Sequence, residues 1–264
     1  MLSKLKNFYS PTVLVGLLSF WIGIFLFPNA TQANTCPTKR IDKYASVKRV
    51  YDGDTIQLST GEKIRLIGVN APEMHYETGT PEPYAKQATF FLRKKLLGKR
   101  IGLRYGQSNK DHYKRSLAHV FLKDGSNIQA ELLRNGYAFN IAIPPDLWQQ
   151  SCYQALENEA RNNHLGIWNI KRYQPMTVEK LNKTQLGFLR VKGTIRRVKE
   201  TKKSYWLDLT ENMALRIDKR DKSYFRHLPS KQWQGRHVIV KGWVNYHDKS
   251  FYMRIKHPAA MEFY

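Results

Sequence analysis

The sequence is short of cysteine, of acid and of long apolar runs. Its 264 residues hold two cysteines, Cys36 and Cys152, which resemble no zinc site and allow at most one internal disulfide. Asp and Glu number 21 against 44 Lys and Arg, a net charge of +23 with a pI near 10.0. So one-sided a balance points to polyanionic partners, nucleic acid first among them. One apolar run stands out, Thr12 to Phe27 (TVLVGLLSFWIGIFLF), preceded by Lys4 and Lys6 and followed by Pro28 and small residues to Ala33. Basic, then apolar, then small is the order of a secretory signal, with cleavage expected near Ala33. The alternative is an uncleaved membrane anchor through residues 12–27, since the run is only slightly shorter than a spanning helix. Either way the rest of the chain is expected outside the cytoplasm, secreted, periplasmic or membrane-anchored. In an oxidising compartment Cys36 and Cys152 are a candidate disulfide. The other reading leaves two thiols, with Cys152 packed on the apolar face of its helix beside Trp148 and Leu156.

What is present reads as two β-rich units, a mainly β chain with helices. Residues 34–45 form a lead-in, 46–170 a first small barrel, 171–185 a polar linker and 186–264 a second small barrel. In the first, Ser46 to Val69 alternates as strands around a turn at Ser59-Thr60-Gly61. Ala85, Ala88, Leu92 and Leu96 recur at helical spacing before Gly98. Strands are expected at 100–104 and 116–122, a short helix at 128–135, and a longer helix capped by Asp146 and running to about Asn163. In the second, five alternating runs begin at Leu189, Tyr205, Met213, Val238 and Phe251, with a helical candidate at 224–227.

Charged residues sit where an apolar face is expected. If the turn centres on Thr60-Gly61, Ile56 faces Arg65 and Asp54 lies diagonally within reach, which puts a carboxylate and a guanidinium at the barrel rim. A buried charge needs compensation, and a cation, a phosphate or an internal ion pair would each supply it. Pro72 forces an irregular exit from the Arg65 strand and brings Glu73 to the same rim, while Asp111 to Arg115 leads a further arginine towards it. Oxygen donors of this kind suit a hard cation such as calcium. Two arginines can clamp a phosphodiester, and a glutamate can take a proton from water.

Three blocks, Val50-Tyr51-Asp52-Gly53-Asp54-Thr55, Arg65 to Glu73 (RLIGVNAPE) and Asp111-His112-Tyr113-Lys114-Arg115, resemble the active-site blocks of the staphylococcal nuclease (thermonuclease) family, over residues 46–169. The resemblance implies an OB-fold barrel and calcium-dependent hydrolysis of DNA and RNA to 3'-phosphate ends. It makes Asp54, Asn70 and the Ala71 backbone carbonyl the metal ligands, Arg65 and Arg115 the phosphate clamp, and Glu73 the general base. His112, Tyr113 and Lys114 become substrate contacts. Asn70 stands where the family has a second aspartate, which implies weaker calcium binding or acceptance of another divalent ion. His112 and Lys114 replace a lysine and a glycine of the family pattern. The family's base-contacting tyrosines have no match in 139–145.

The second unit carries no catalytic constellation. Its strands resemble small bacterial OB-fold domains, and Arg190, Lys192 and Trp206 are candidate contacts to single-stranded nucleic acid. The expected function is an exported metal-dependent nuclease acting on DNA and RNA, and the alternative is a catalytically weak or inactive nucleic-acid-binding protein of the cell envelope.

Overall fold

The computed structural model describes residues 36–264 apart from Thr78 and Gln185. The leader, read as signal or anchor, lies outside the described residues, and none of the described helices is long and apolar enough to cross a membrane. The first unit runs β1 (Lys43–Val50), β2 (Thr55–Leu58), β3 (Lys63–Leu66), β4 (Val69–Asn70), α1 (Ala85–Leu96), β5 (Arg100–Lys110), β6 (Ser116–Phe121), α2 (Ile128–Arg134), β7 (Phe139–Asn140) and α3 (Gln150–Asn162). Five strands close a barrel in the order β1-β2-β3-β6-β5, with β3 and β6 parallel. Ile56, Leu58, Ile64, Leu66, Leu103 and Val120 fill it. Helix α1 covers the barrel with Ala85, Ala88, Leu92 and Leu96, and Gly98 leaves it in the left-handed region at φ 73°.

The hairpin register differs by one residue from the expected one. Thr55 pairs with Arg65 and Ile56 with Ile64, because the loop is the three residues Ser59, Thr60 and Gly61, closed by the Leu58 and Glu62 backbones. A one-residue shift exchanges the two faces of a strand. Ile64 and Leu66 therefore face the core, and Arg65 takes the outer parity.

Asp146 also behaves differently from expectation. Helix α3 starts at Gln150 without a side-chain cap, and the Asp146 carboxylate accepts from the backbone N–H groups of Gln107 and Ser108 at 2.5 and 3.2 Å. Those bonds hold the extension of β5, which runs to Lys110 instead of stopping near 104.

The second unit runs β8 (Met176–Thr177), β9 (Gly187–Thr194), β10 (Arg197–Glu200), β11 (Ser204–Asp208), β12 (Met213–Asp218), β13 (His237–His247), β14 (Ser250–Arg254) and β15 (Met261–Phe263). Its path is β10-β11-β12-β14-β13-β9-β8, with β15 on β13. Strands β9 and β10 are separated only by Ile195 and Arg196, so one bent stretch of chain supplies both ends of the β10-to-β9 path. With β12 and β14 parallel, the strand order repeats that of the first barrel. The helix expected at 224–227 is absent: 3-10 turns occupy Lys219–Tyr224 and Lys231–Trp233, and Phe225 between them is drawn into the core. Strand β10 (RVKE) has one apolar residue, Val198, and owes its form to pairing with β11.

Residues of the stretch read as a linker, 171–185, pack against both units. Tyr173 joins Phe139, Trp168 and Phe188 in an aromatic cluster between the barrels, and Val178 enters the second core. Across the same junction the buried Lys241 ammonium meets the buried Glu157 carboxylate, whose other oxygen accepts from the Asn140 N–H at 2.8 Å. Removing one partner of such a pair strands the other charge in a poor solvent.

Cys36 and Cys152 form a disulfide that spans 116 residues and ties the start of the described chain to α3. Beside it the Asn127 side chain caps α2 through the Ala130 N–H, and donates to the Cys36 carbonyl and the Tyr153 hydroxyl. The Tyr153 hydroxyl lies 2.9 Å from Nδ1 of buried His119, whose other neighbours include the Trp148 ring. Burial, with a smaller contribution from Arg104, pushes the His119 pKa down to about 3.

Two outcomes follow for stability. Reducing the disulfide, or pairing Cys36→Ser with Cys152→Ser, should cost about 5 kcal/mol in denaturant unfolding, the loop-closure magnitude for a loop of this length. The unfolded chain protonates His119 near its ordinary value and the folded chain only near 3, so this residue's stability is fully present above pH 6.5 and is lost as pH falls towards 3. Unfolding midpoints at pH 7 and pH 4.5 should therefore differ less in His119→Gln than in the unsubstituted protein.

Candidate active site

The Asp52-Gly53-Asp54-Thr55 loop leaves β1 and enters β2 at the end of the first barrel. Gly53 is required there by contact: a Cβ on it would lie 2.5 Å from that of Ala71 and 2.8 Å from that of Ala88 on α1. Asp54 is 3% exposed and fully engaged. Its Oδ2 meets Nη2 of Arg65 at 3.0 Å and accepts from the Ala71 N–H at 2.8 Å, and its Oδ1 accepts from the Thr55 hydroxyl at 3.1 Å.

Arg65 clasps the turn that follows its own strand. Nη1 donates to the carbonyls of Leu66 and Val69 at 2.8 and 2.9 Å, and Nη2 to Asn70 Oδ1 at 3.2 Å. Gly68 permits that turn at φ 80°, close against the Tyr153 ring. The guanidinium thus reaches the barrel end from the outer parity, by length and by the turn, and not through the inward-facing position expected from the sequence.

Arg115 arrives from β6. The Asp111 carboxylate accepts from the N–H groups of Tyr113 and Arg115 at 2.9 Å and from Arg115 Nε at 2.7 Å, and Arg115 Nη1 donates to the Thr55 hydroxyl at 3.2 Å. Thr55 therefore links the second arginine to Asp54. Tyr113 is exposed, with the Arg115 guanidinium 5.2 Å from its ring and the His112 ring tilted against it at 3.9 Å, while Lys114 occupies the left-handed position of the turn at φ 64°.

Glu73 stands at the open mouth. Its backbone exchanges hydrogen bonds with Glu82: the Glu73 N–H donates to the Glu82 carboxylate at 3.0 Å, and the Glu82 N–H to the Glu73 carbonyl at 2.9 Å. Arg172, from the segment after the first barrel, pairs with Glu82 at 3.3 Å, and the Tyr173 hydroxyl donates to the neighbouring Pro83 carbonyl at 2.8 Å. Partial desolvation and then the Asp54 charge raise the Glu73 pKa, against the pull of Arg65. Asp52 accepts from the Asp54 N–H at 2.9 Å, and desolvation, with Asp54 beside it, raises its pKa to about 8.

The oxygen donors here are the Asp54 and Asp52 carboxylates, the Asn70 amide and the Ala71 carbonyl. Among the described residues no three His, Cys, Asp or Glu side chains are placed as a metal cage. The donor chemistry, all oxygen with neither thiolate nor imidazole, nonetheless fits a hard divalent cation that keeps part of its water shell. Asp52, Thr55, Asp111, Glu82 and Arg172 were not singled out from the sequence. The first three lie inside or beside the recognised blocks, where a position-by-position reading finds them. Glu82 and Arg172 are 90 residues apart, and no local pattern links them.

The residues chosen in the second unit do not form one site. Arg190 is buried against the Trp168 ring at the junction of the barrels, so it is no surface contact for nucleic acid; the aromatic cluster draws it inward and desolvation lowers its pKa. Lys192 lines a small depression with Thr177, Glu179 and His237, whereas Trp206 lies on a different face with Arg216.

Comparison with known proteins agrees with this geometry. Residues 63–170 match the family model described as staphylococcal nuclease homologue. The thermonuclease of Staphylococcus intermedius is 37% identical over 125 residues, covering 46% of this chain and 74% of that protein. The thermonuclease of Staphylococcus hyicus is 32% identical over 127 residues, 47% of this chain and 74% of its own. The endonuclease YhcR of Bacillus subtilis is 36% identical over 140 residues, which cover 47% of this chain but 11% of that much longer protein. With the barrel, the ordered blocks and these relatives in agreement, the chain belongs to the staphylococcal nuclease family.

Proposed function

We propose that the chain is an exported nuclease that hydrolyses phosphodiester bonds of DNA and RNA with calcium, leaving 3'-phosphate ends. The observation that carries this reading is the convergence of Asp54, Arg65, Glu73 and Arg115 at one barrel end, joined through Thr55 and the Arg65 clasp. The names of the relatives, thermonuclease and endonuclease, support the reaction class.

Glu73 takes a proton from water at the mouth, and the resulting hydroxide attacks phosphorus. The bond to the 5'-oxygen breaks, the 5'-oxygen is protonated, and the phosphate stays on the 3' side. Arg115 and Arg65 supply guanidinium charge beside the phosphate, where fixed donors stabilise the added negative charge of the five-coordinate transition state. Asp54, Asn70 and the Ala71 carbonyl would hold the cation, which supplies further charge compensation when bound, and Asn70 in place of an acid weakens that hold or admits another divalent ion. His112, Tyr113 and Lys114 line the approach beside Arg115. Glu82, steadied by Arg172, positions the backbone of Glu73.

Export is supported by the signal-like leader and by the disulfide, a bond that persists in oxidising compartments. A membrane-anchored form through residues 12–27 is the alternative if the leader is kept. The second functional reading, a nucleic-acid-binding protein of the envelope with little catalysis, is favoured by Asn70 and by the occupation of Arg65 with its own turn.

Cleavage of single-stranded DNA, duplex DNA and RNA should require calcium or another divalent ion and stop in EDTA. Glu73→Gln should lower kcat by about 10²- to 10⁴-fold, and Arg115→Ala by about 10²-fold or more. Binding that persists without metal-dependent cleavage would select the second reading. Arg172→Ala, which removes one of the groups that hold the Glu82 carboxylate, should lower kcat several-fold with KM little changed, and Arg172→Lys should recover part of the loss.

A further inference from the structure

The outer face of the second barrel carries an alternation of rings and cations that the nuclease site does not use. Tyr205, Leu207, Leu215, Ile217, Phe251 and Met253 point into its core, so the residues between them on β11, β12 and β14 point outward. Register aligns those outward residues in rows. Lys199, Trp206, Arg216 and Arg254 stand opposite one another across β10, β11, β12 and β14. The next row is Arg197, Asp208, Ala214 and Tyr252.

The Arg216 guanidinium lies 5.5 Å from the Trp206 ring centre. Ala214 is the small residue between Trp206 and Tyr252 in this arrangement, and a hollow of about 490 Å³ opens there, lined by both rings and by Arg197 and Arg216. From ordinary strand spacing and rise the two rings stand roughly 12 Å apart. Asp218 is buried beneath the cations and holds Arg216 Nε at 2.7 Å and Arg254 Nε at 3.2 Å; Asp208 pairs with Arg197 at 2.6 Å. Arg197, Lys199, Arg216 and Arg254 thus stand among Asp208, Asp218, Glu211 and Asp248, and the first two of these acids fix the arginines in place. The bordering turns add Lys202 and Lys203 between β10 and β11, and Lys249 between β13 and β14, all exposed.

We propose that this face binds a single strand of nucleic acid, with bases stacked on Trp206 and Tyr252 and phosphates held by Lys199, Arg216 and Arg254. An open face with two separated rings suits unpaired bases, whose π-faces are accessible, and does not suit a duplex, whose bases are stacked on each other. The fixed guanidinium groups suit a regularly spaced polyanion. The site deepens the nuclease reading, because a strand held on the second barrel raises its effective concentration at the first. It does not depend on catalysis, since every residue in it lies outside the Asp54 site.

The test uses the purified full chain in EDTA, so that no cleavage intrudes, with a fluorescein-labelled oligothymidine of about 20 nucleotides, the matching duplex and phosphatidylglycerol vesicles as probes. In the unsubstituted protein the single strand should bind more tightly than the duplex, and Trp206 fluorescence should be quenched on binding. Trp206→Ala with Tyr252→Ala should weaken single-strand binding roughly tenfold or more and leave duplex binding little changed. Trp206→Phe, which keeps a ring, should retain most of the affinity and controls for folding together with the unfolding midpoint. Cleavage of a dinucleotide substrate in calcium, too short to reach this face, should be unaffected by the double substitution. Unchanged single-strand affinity in the double variant overturns the proposal, as does vesicle binding that is lost in that variant while oligonucleotide binding persists. Absence of calcium-dependent cleavage in the unsubstituted chain would overturn the nuclease reading and leave the binding result to stand or fall alone.

Discussion

One buried carboxylate organises the first barrel. Asp54 sits where the hairpin leaves the core, and an ionised group there is tolerable only if its oxygens are paired. Arg65, the Ala71 N–H and the Thr55 hydroxyl do that, and each brings a further part of the site with it. Arg65 closes the turn that presents Asn70, Ala71 sets the start of the Glu73 loop, and Thr55 receives Arg115. The absence of a side chain at Gly53 lets Ala71 and α1 come close enough for this to happen. The acid cluster is therefore held by the same contacts that end the barrel, and the site and the fold share one set of bonds.

The second barrel is attached through a junction that is partly charged and buried. Glu157 and Lys241 meet there with little solvent, next to Arg190 over Trp168 and to the ring cluster of Phe139, Tyr173 and Phe188. Such a pair contributes orientation more than stability, because its attraction is largely offset by desolvation. The chain that crosses this junction also supplies Arg172 and Tyr173 to the loop bearing Glu73. The segment joining the barrels is in this way also a brace for the candidate site.

The local patterns were legible. Helical spacing located α1 and α2, alternation located most strands of both barrels, and three short blocks in order located the candidate site and its family. The errors arose where a residue answers to a distant partner. Asp146 looked like a helix cap but pairs with the extended end of β5, and β10 is a strand only because β11 lies beside it. Arg190 looked like a surface cation because strand parity does not say which face another domain will cover.

The sequence alone determined the excess of positive charge, the one available cysteine pair, the five-strand alternations and the identities at the barrel end, since all of these are properties of residue type and near spacing. The tertiary structure decided the hairpin register, the route by which Arg65 reaches Asp54, the support of Glu73 by Glu82 and Arg172, and the alignment of Trp206 with its flanking cations. Each of those depends on which strands become neighbours, and that choice is made by burying two whole cores at once.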